Sequence, residues 1–344
     1  MNQHNQHRRS SNDHSYQVDL EVLKRRDFLK RLIKAVLVSG VIAGGAKWLY
    51  RGSALSNQEP KRVEAGLPDF SVSEVGRRIA IVTGGDRAKT VTRAIEALGG
   101  IDKFIKKGDR VVIKVNAAFA TPPSIGATTH PDLLKAVIKL CYQAGAESVV
   151  VTDNPINDPP TCFQFTGIAQ AAEETGARVV LPRPEYFELV TLPGAKLIRN
   201  WPVLVGPLKN ATKLIGIAPV KDHHRSGASM IMKNWYGLLG GRRNMFHQDI
   251  HTIITELAMM VKPTLVILDG TFSMITNGPT GGSLDDLKQT NTMIVSTDQV
   301  AADAVGATLL GRPLSALPFI TRAAAAGVGT ADYESLNPIR DSVS

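Results

Sequence analysis

Two cysteines, Cys141 and Cys162, are all that the 344 residues contain. That is too few for a self-contained four-cysteine iron–sulfur cluster, and their spacing matches neither a zinc site nor a disulfide framework. Cys141 falls in the apolar helical pattern KAVIKLCYQAG, where a thiol packs as a small hydrophobe. Aromatic residues make up 6% of the chain, which leaves little to stack on bases. HExxH and a GK[ST] phosphate loop are also absent. The most membrane-like run, AVLVSGVIAGGA from Ala35 to Ala46, has twelve residues before Lys47 interrupts it, too few to span a ~30 Å hydrocarbon core as a helix.

The formal charge of +9 would suggest a nucleic acid or a membrane if the whole chain carried it. Residues 1–56 hold 10 Lys and Arg against 4 acidic residues, which leaves 30 against 27 for the rest. The body is nearly neutral, and a nucleic-acid partner is not expected.

The leader accounts for the surplus. KRRDFLK (Lys24–Lys30) precedes the apolar run and resembles a twin-arginine export signal, with Arg25 and Arg26 adjacent, Phe28 and Leu29 at the expected offsets and Lys30 closing the motif. Lys24 stands where a Ser or Thr usually opens that pattern. The resemblance implies the twin-arginine translocase as partner and a periplasmic or other extracytoplasmic location. Ala54-Leu55-Ser56 and Gly52-Ser53-Ala54 are candidate cleavage sites. An uncleaved leader would instead anchor the protein through residues 35–50.

Residues 57–76 are polar and proline-containing and read as a linker. From 77 to 330 short apolar runs alternate with helical patterns: RRIAIVTG, RVVIKVN, ESVVVTDN, TKLIGIAPV, TLVILDG and TMIVSTD as strands, PDLLKAVIKLCYQAG, HQDIHTIITELAMMV and QVAADAVGATLLG as helices. Strand–helix alternation predicts a single large α/β domain, its mostly parallel sheet covered by helices on both faces. Residues 185–212 read as a small insertion with hairpin strands, and 331–344 as a C-terminal tail.

The strands matter for how they end. RVVIKVN closes on Lys114 and Asn116, SVVVTDN on Asp153 and Asn154, IAPVKDHH on Lys221, Asp222 and His223, and TLVILDG on Asp269. In open parallel sheets ligands bind outside the carboxyl ends of the strands, so Lys114, Asn116, Asp153, Lys221 and Asp269 are ligand-binding candidates, and Asn234 in the stretch that follows Lys221 joins them. Asp residues also make good turns and caps, and Asp298 is expected to cap the helix that opens at Gln299.

Ile217–His251 is the densest stretch, holding four of the eight histidines within 35 residues. His247 and His251 are four apart at a predicted helix start, so both rings would share a face, and His224 or His223 could add a third metal ligand. His223 and His224, as strand neighbours, would point oppositely. A divalent metal on His247, His251 and His224 is therefore one expectation; simple packing of these rings is the other. Lys233 and Asn234 follow the apolar trio Met230–Met232, which puts the ammonium at the edge of a dry pocket, where burial lowers a lysine's pKa and prepares it for base or anion-binding work. NGPTGGS (277–283) reads as a loop that closes the site.

These pieces resemble the bacterial and archaeal family called domain of unknown function 362. The resemblance runs through IKVN, TTHPDLLKAVI, VVVTDNP, PVKDHHRSGASMIMKNWYGLL, KPTLVILDG, NGPTGG and STDQVAADAVGATLLG, nearly the whole body. Some relatives bear ferredoxin-like segments; no Cys-x-x-Cys run occurs here, so that property does not transfer. The order His223, Lys233, His247 is also similar to that of the lactate racemase group. That likeness implies Lys233 as carrier of a nickel-pincer nucleotide, His247 as metal ligand and His223 as an acid/base.

Three classes follow: an exported enzyme acting on a small anion with Lys233 and His223 as catalytic groups, a periplasmic binding or cofactor-carrying protein using the same residues, and an assembly partner whose histidines are incidental.

Overall fold

The computed structural model describes Arg62–Val63 and residues 67–344. The leader, with its export and anchor readings, lies outside the described residues. Among these residues no helix is long and apolar enough to cross a membrane.

Along the chain come β1 (Arg62–Val63), β2 (Ile79–Thr83), α1 (Arg87–Ala97), β3 (Arg110–Lys114), α2 (Pro131–Gln143) and β4 (Ser148–Thr152). Next are α3 (Pro159–Phe165), α4 (Ile168–Glu174), β5 (Arg178–Val180) and the hairpin β6 (Phe187–Val190) and β7 (Trp201–Leu204). The long β8 (Lys213–His223) turns into β9 (Gly227–Ser229), one-turn α5 (Ile231–Asn234) and α6 (Ile250–Met260). Then come β10 (Leu265–Met274), β11 (Leu287–Ser296), α7 (Gln299–Leu309), α8 (Pro318–Ala325) and β12 (Ile339–Ser342).

Nine strands form one sheet in the order β12-β2-β11-β10-β8-β3-β4-β5, with β9 paired to β8. Its pairs are parallel except β2–β11, β11–β10 and β8–β9. The expected α/β architecture, a mostly parallel sheet in a single domain, is what forms. Strand alternation explains the two covered faces. Ile113, Ile215, Ile217 and Ile267 pack with Val91 of α1, Val137 of α2 and Ile168 of α4. Val112, Leu214, Ala218 and Leu268 pack on the other side with Ile254 of α6, Val300 of α7 and Phe319 of α8. Asp298 does cap α7, its carboxylate accepting the N–H groups of Val300 and Ala301.

Three segments that read as accessory belong to the packed body. Within 57–76, Phe70 is buried and its N–H donates to the Lys262 carbonyl at 3.0 Å. The expected hairpin at 187–204 forms a second sheet, β1-β6-β7. The tail returns as β12, parallel to β2 with Ile339 opposite Ala80.

The sheet also places the site. From β3 the chain builds outward to β4 and β5, then crosses back to lay β8 on the opposite side of β3. Such a reversal opens a crevice at the carboxyl ends of the strands, here between β3, β4 and β8.

Candidate functional site

A cavity of about 940 Å³ occupies that crevice. Lys114, Asn116, Asp153, Lys221, His223, His224, Lys233, Asn234 and His247, all predicted from sequence, line it. Sequence reading missed Phe119, Tyr236 and Arg243, which line it too, and only Asn277 to Thr280 of the glycine-rich loop reach it.

The floor is a closed polar network. The Lys114 ammonium donates to the Val115 carbonyl at 2.7 Å and to Asn234 Oδ1 at 2.8 Å, and lies 2.7 Å from Asp153 Oδ1. Its three protons are therefore used. The other Asp153 oxygen accepts the Ala117 N–H, and Asn234 Nδ2 donates to the Ile217 carbonyl at 3.0 Å. Burial pulls the Lys114 pKa down, opposed by the Asp153 charge. Gly237 must be glycine here, because a Cβ would stand 1.9 Å from Asp153 Oδ1. Lys114, Asp153 and Asn234 thus tie β3, β4 and α5 together; their hydrogen bonds are made within the protein.

Asn116 is different. Its Nδ2 donates to Asn234 Oδ1 at 3.2 Å, while its Oδ1 is buried without a hydrogen-bond partner. The residue lines the cavity, but this oxygen is itself shielded from it.

Above the floor stand two lysines with no carboxylate within ion-pair distance among the described residues. Lys221, fully buried on β8, donates to the Ala127 carbonyl and sits 5.5 Å from the Phe119 ring centroid. Desolvation, then the nearby Lys233 charge, brings its pKa down to about 7. Lys233 on α5 is partly exposed into the cavity, 5.1 Å from the Tyr236 ring centroid. Desolvation, then the Arg243 charge, lowers it to about 8. Asp153 is the one carboxylate among the lining residues, and Lys114 neutralises it. The hollow is cationic.

Arg243 adds charge and holds the wall. Its guanidinium donates to the carbonyls of Asn154 and Pro155 at 2.7 and 2.8 Å, and of Tyr236 and Leu239 at 3.2 and 3.1 Å. Nothing in the sequence separates it from Arg242; only the fold does.

The imidazoles take opposite tautomers. His223 Nδ1 accepts the N–H groups of Arg225 and Ser226 at 3.1 and 3.3 Å, which puts the proton on Nε2. His247 Nδ1 lies 3.1 Å from the Asn244 carbonyl, which can only accept, so Nδ1 carries the proton and Nε2 is bare. Burial, with Lys233 next, lowers both pKa values, so the rings are neutral at neutral pH. Their centroids are 5.9 Å apart. One presents a donor and the other an acceptor.

Several expectations fail. His247 and His251 do not share a helical face, because His247 lies in a 3-10 segment (Arg243–Asp249) and α6 begins only at Ile250. His251 is absent from the cavity wall and stacks on Phe319 with centroids 6.1 Å apart. His223 and His224 do not point oppositely: β8 ends at His223, His224 is in the turn, and the rings stack at 4.8 Å. Among the described residues no group of three His, Cys, Asp or Glu side chains is placed to hold a metal ion, so the His224–His247–His251 set is not assembled. Asp269 is not in the cavity wall either; it pairs with Arg87 at 2.7 Å and accepts the Thr271 N–H at 2.9 Å.

The family model described as "Domain of unknown function (DUF362)" matches residues 111–308, which carry β3 through most of α7 and every one of these lining groups. The chain belongs to the DUF362 family. Among curated proteins it is similar to the thylakoid-associated protein sll1697 of Synechocystis sp., at 25% identity over 234 residues, 64% of this chain and 69% of that one. Among solved structures it is similar to the lactate racemase apoprotein from Thermoanaerobacterium thermosaccharolyticum, with a TM-score of 0.40 and 14% identity. That match covers 72% of this chain, which spans 61% of the racemase.

Proposed function

We propose that this DUF362 protein binds a small anion in the crevice at the carboxyl ends of β3, β4 and β8. The observation that carries the reading is the pair Lys221 and Lys233: two ammonium groups facing a cavity whose one carboxylate is already neutralised by Lys114. An anion brought between them offsets the desolvation and the repulsion from neighbouring cations that lower their pKa values.

The test is calorimetric titration of the purified protein with phosphate, sulfate and acetate. Wild type is expected to take up one anion per chain, and K221M/K233M is expected to lose it while keeping its fold by circular dichroism. A folded wild type that takes up neither these anions nor a longer-chain carboxylate refutes the reading.

A second reading, proton transfer on the bound anion, is favoured by the opposite tautomers of His223 and His247. The unprotonated His247 Nε2 can take a proton from a bound anion, while the neutral His223 Nε2–H donates a hydrogen bond that steadies the charge left behind and later lets the proton return from His247. Its check is deuterium incorporation from heavy water into a bound carboxylate, followed by NMR and abolished in H247Q. The leader adds a place of action: export by the twin-arginine route, tested by mass analysis of the mature protein.

A further inference from the structure

Two lysines would hold an inorganic anion in a far smaller space than about 940 Å³. Much of the remaining wall is apolar. Phe119, Pro155, Ile156, Phe187, Tyr236 and Pro279 contribute carbon surface to the same cavity. Phe187 comes from β6 in the second sheet, so the small β1-β6-β7 sheet has a role at the site: it supplies part of that wall. Ile156 is 65% exposed, an unusual position for a large aliphatic side chain one residue beyond the buried Pro155. Single exposed apolar residues are ordinary on a protein surface; one at the edge of a cavity with five further apolar groups behind it forms part of a continuous surface.

We infer that the ligand is an amphiphilic organic anion, its charged head between Lys221 and Lys233 and its apolar body along Phe119, Phe187 and Ile156. The inference rests on the anion-binding reading and narrows it to a class. Phe119 joins the two regions, because its ring lies 5.5 Å from the Lys221 ammonium while its carbon face lines the cavity. A head held at Lys221 therefore begins its body against an aromatic ring. Volume agrees: cavities of this size suit an organic molecule of drug-like dimensions, whereas a bare oxyanion would leave most of the apolar wall wet.

The probes are straight-chain carboxylates from acetate to decanoate, titrated calorimetrically into the full chain, with phosphate as the anion lacking a body. Each methylene that reaches the wall is expected to tighten binding by about fourfold until the wall is covered. Ile156→Asp is expected to weaken octanoate far more than acetate, and, because the side chain is exposed, to leave the fold intact. K221M/K233M is expected to lose the whole series. A series in which octanoate binds no better than acetate overturns the amphiphile while leaving the anion site standing. Octanoate binding that survives K221M/K233M overturns it as well, since the body would then be bound somewhere else. If neither acetate, phosphate nor octanoate binds the folded protein, the anion reading falls and takes this inference with it.

Discussion

Lys114 and Asp153 meet 2.7 Å apart under the cavity with side-chain exposures of 1% and 3%. Because this pair consumes the one lining carboxylate, the charge left for a ligand is that of Lys221 and Lys233, with Arg243 beside them. The pair is also where the site is tied to the sheet, since Lys114 ends β3 and Asp153 follows β4. Breaking a buried pair from one side strands a charge in a dry interior. Asp153→Leu and Lys114→Met are each expected to lower stability by about 3–5 kcal/mol, and K114M/D153L by less than the two single changes together. Urea denaturation of the four proteins closes the cycle; strict additivity would show that the two groups act independently.

The protonation of Lys221 gives a second prediction. Burial holds its folded pKa at about 7 against an ordinary 10.5, so between those values the folded protein binds fewer protons there than the unfolded chain. Stability rises with pH across that window: the cost of charging Lys221 is fully present below about 7 and gone above 10.5. K221M removes the cost. Relative to wild type, the variant is expected to be more stable at pH 7 than at pH 10, measured as the difference in urea midpoint. An equal difference at both pH values contradicts the assignment. Anion affinity runs the other way, falling as pH rises past about 8, where Lys233 also loses its proton.

How much of this could be read beforehand divides along physical lines. Strand ends were legible, because apolar runs closing on Lys114, Asp153 and Lys221 need only local pattern and one rule about parallel sheets. Asp269 obeyed the same pattern and failed, because Arg87 from α1 captures it. Which neighbour reaches a strand end first is a tertiary fact. His251 fails for a local reason: a spacing of four implies one helical face, yet the chain is 3-10 through Asp249 and the face is lost. Arg243 and Phe119 carry no periodic signal, and they join the site only through the packing of loops. Phe187 was out of reach, since it arrives from a separate sheet.

Asp303 on α7 gives a third prediction. It is fully buried, and its carboxylate accepts the N–H groups of Ile231 and Met232 at 2.8 and 3.0 Å, the start of the helix that bears Lys233. Desolvation pushes its pKa up to about 7. Asp303→Ala leaves two buried N–H groups without acceptors and is expected to cost about 2–4 kcal/mol. Since Lys233 lies one residue beyond Met232, anion affinity is expected to drop as well, whereas a core truncation of similar cost away from α5, such as Ile138→Ala on α2, leaves affinity unchanged. Titrations on both variants at a temperature where both are folded make the comparison.

The loop over the cavity gives the last. Asp222 points away from Lys221 and His223, as alternation along β8 requires, and its carboxylate is held by Arg312 while accepting the Gly278 N–H at 3.2 Å. Asp286 holds the other side of the loop through the side chains of Thr276 and Asn277. Asn277 to Thr280 therefore line the cavity because two carboxylates pin them there. Gly278 lies so close to β8 that a Cβ would stand 1.9 Å from the Asp222 carbonyl oxygen, so Gly278→Ala must lift the loop. Arg312→Met removes the cation and frees Asp222 from below. Both variants are expected to speed amide hydrogen exchange in residues 275–286 and to raise the anion dissociation rate by about tenfold, with a change in global stability of about 1 kcal/mol or less, since loops of this kind open at low free energy. Faster exchange with an unchanged dissociation rate would mean that the loop lines the cavity without retaining what enters it.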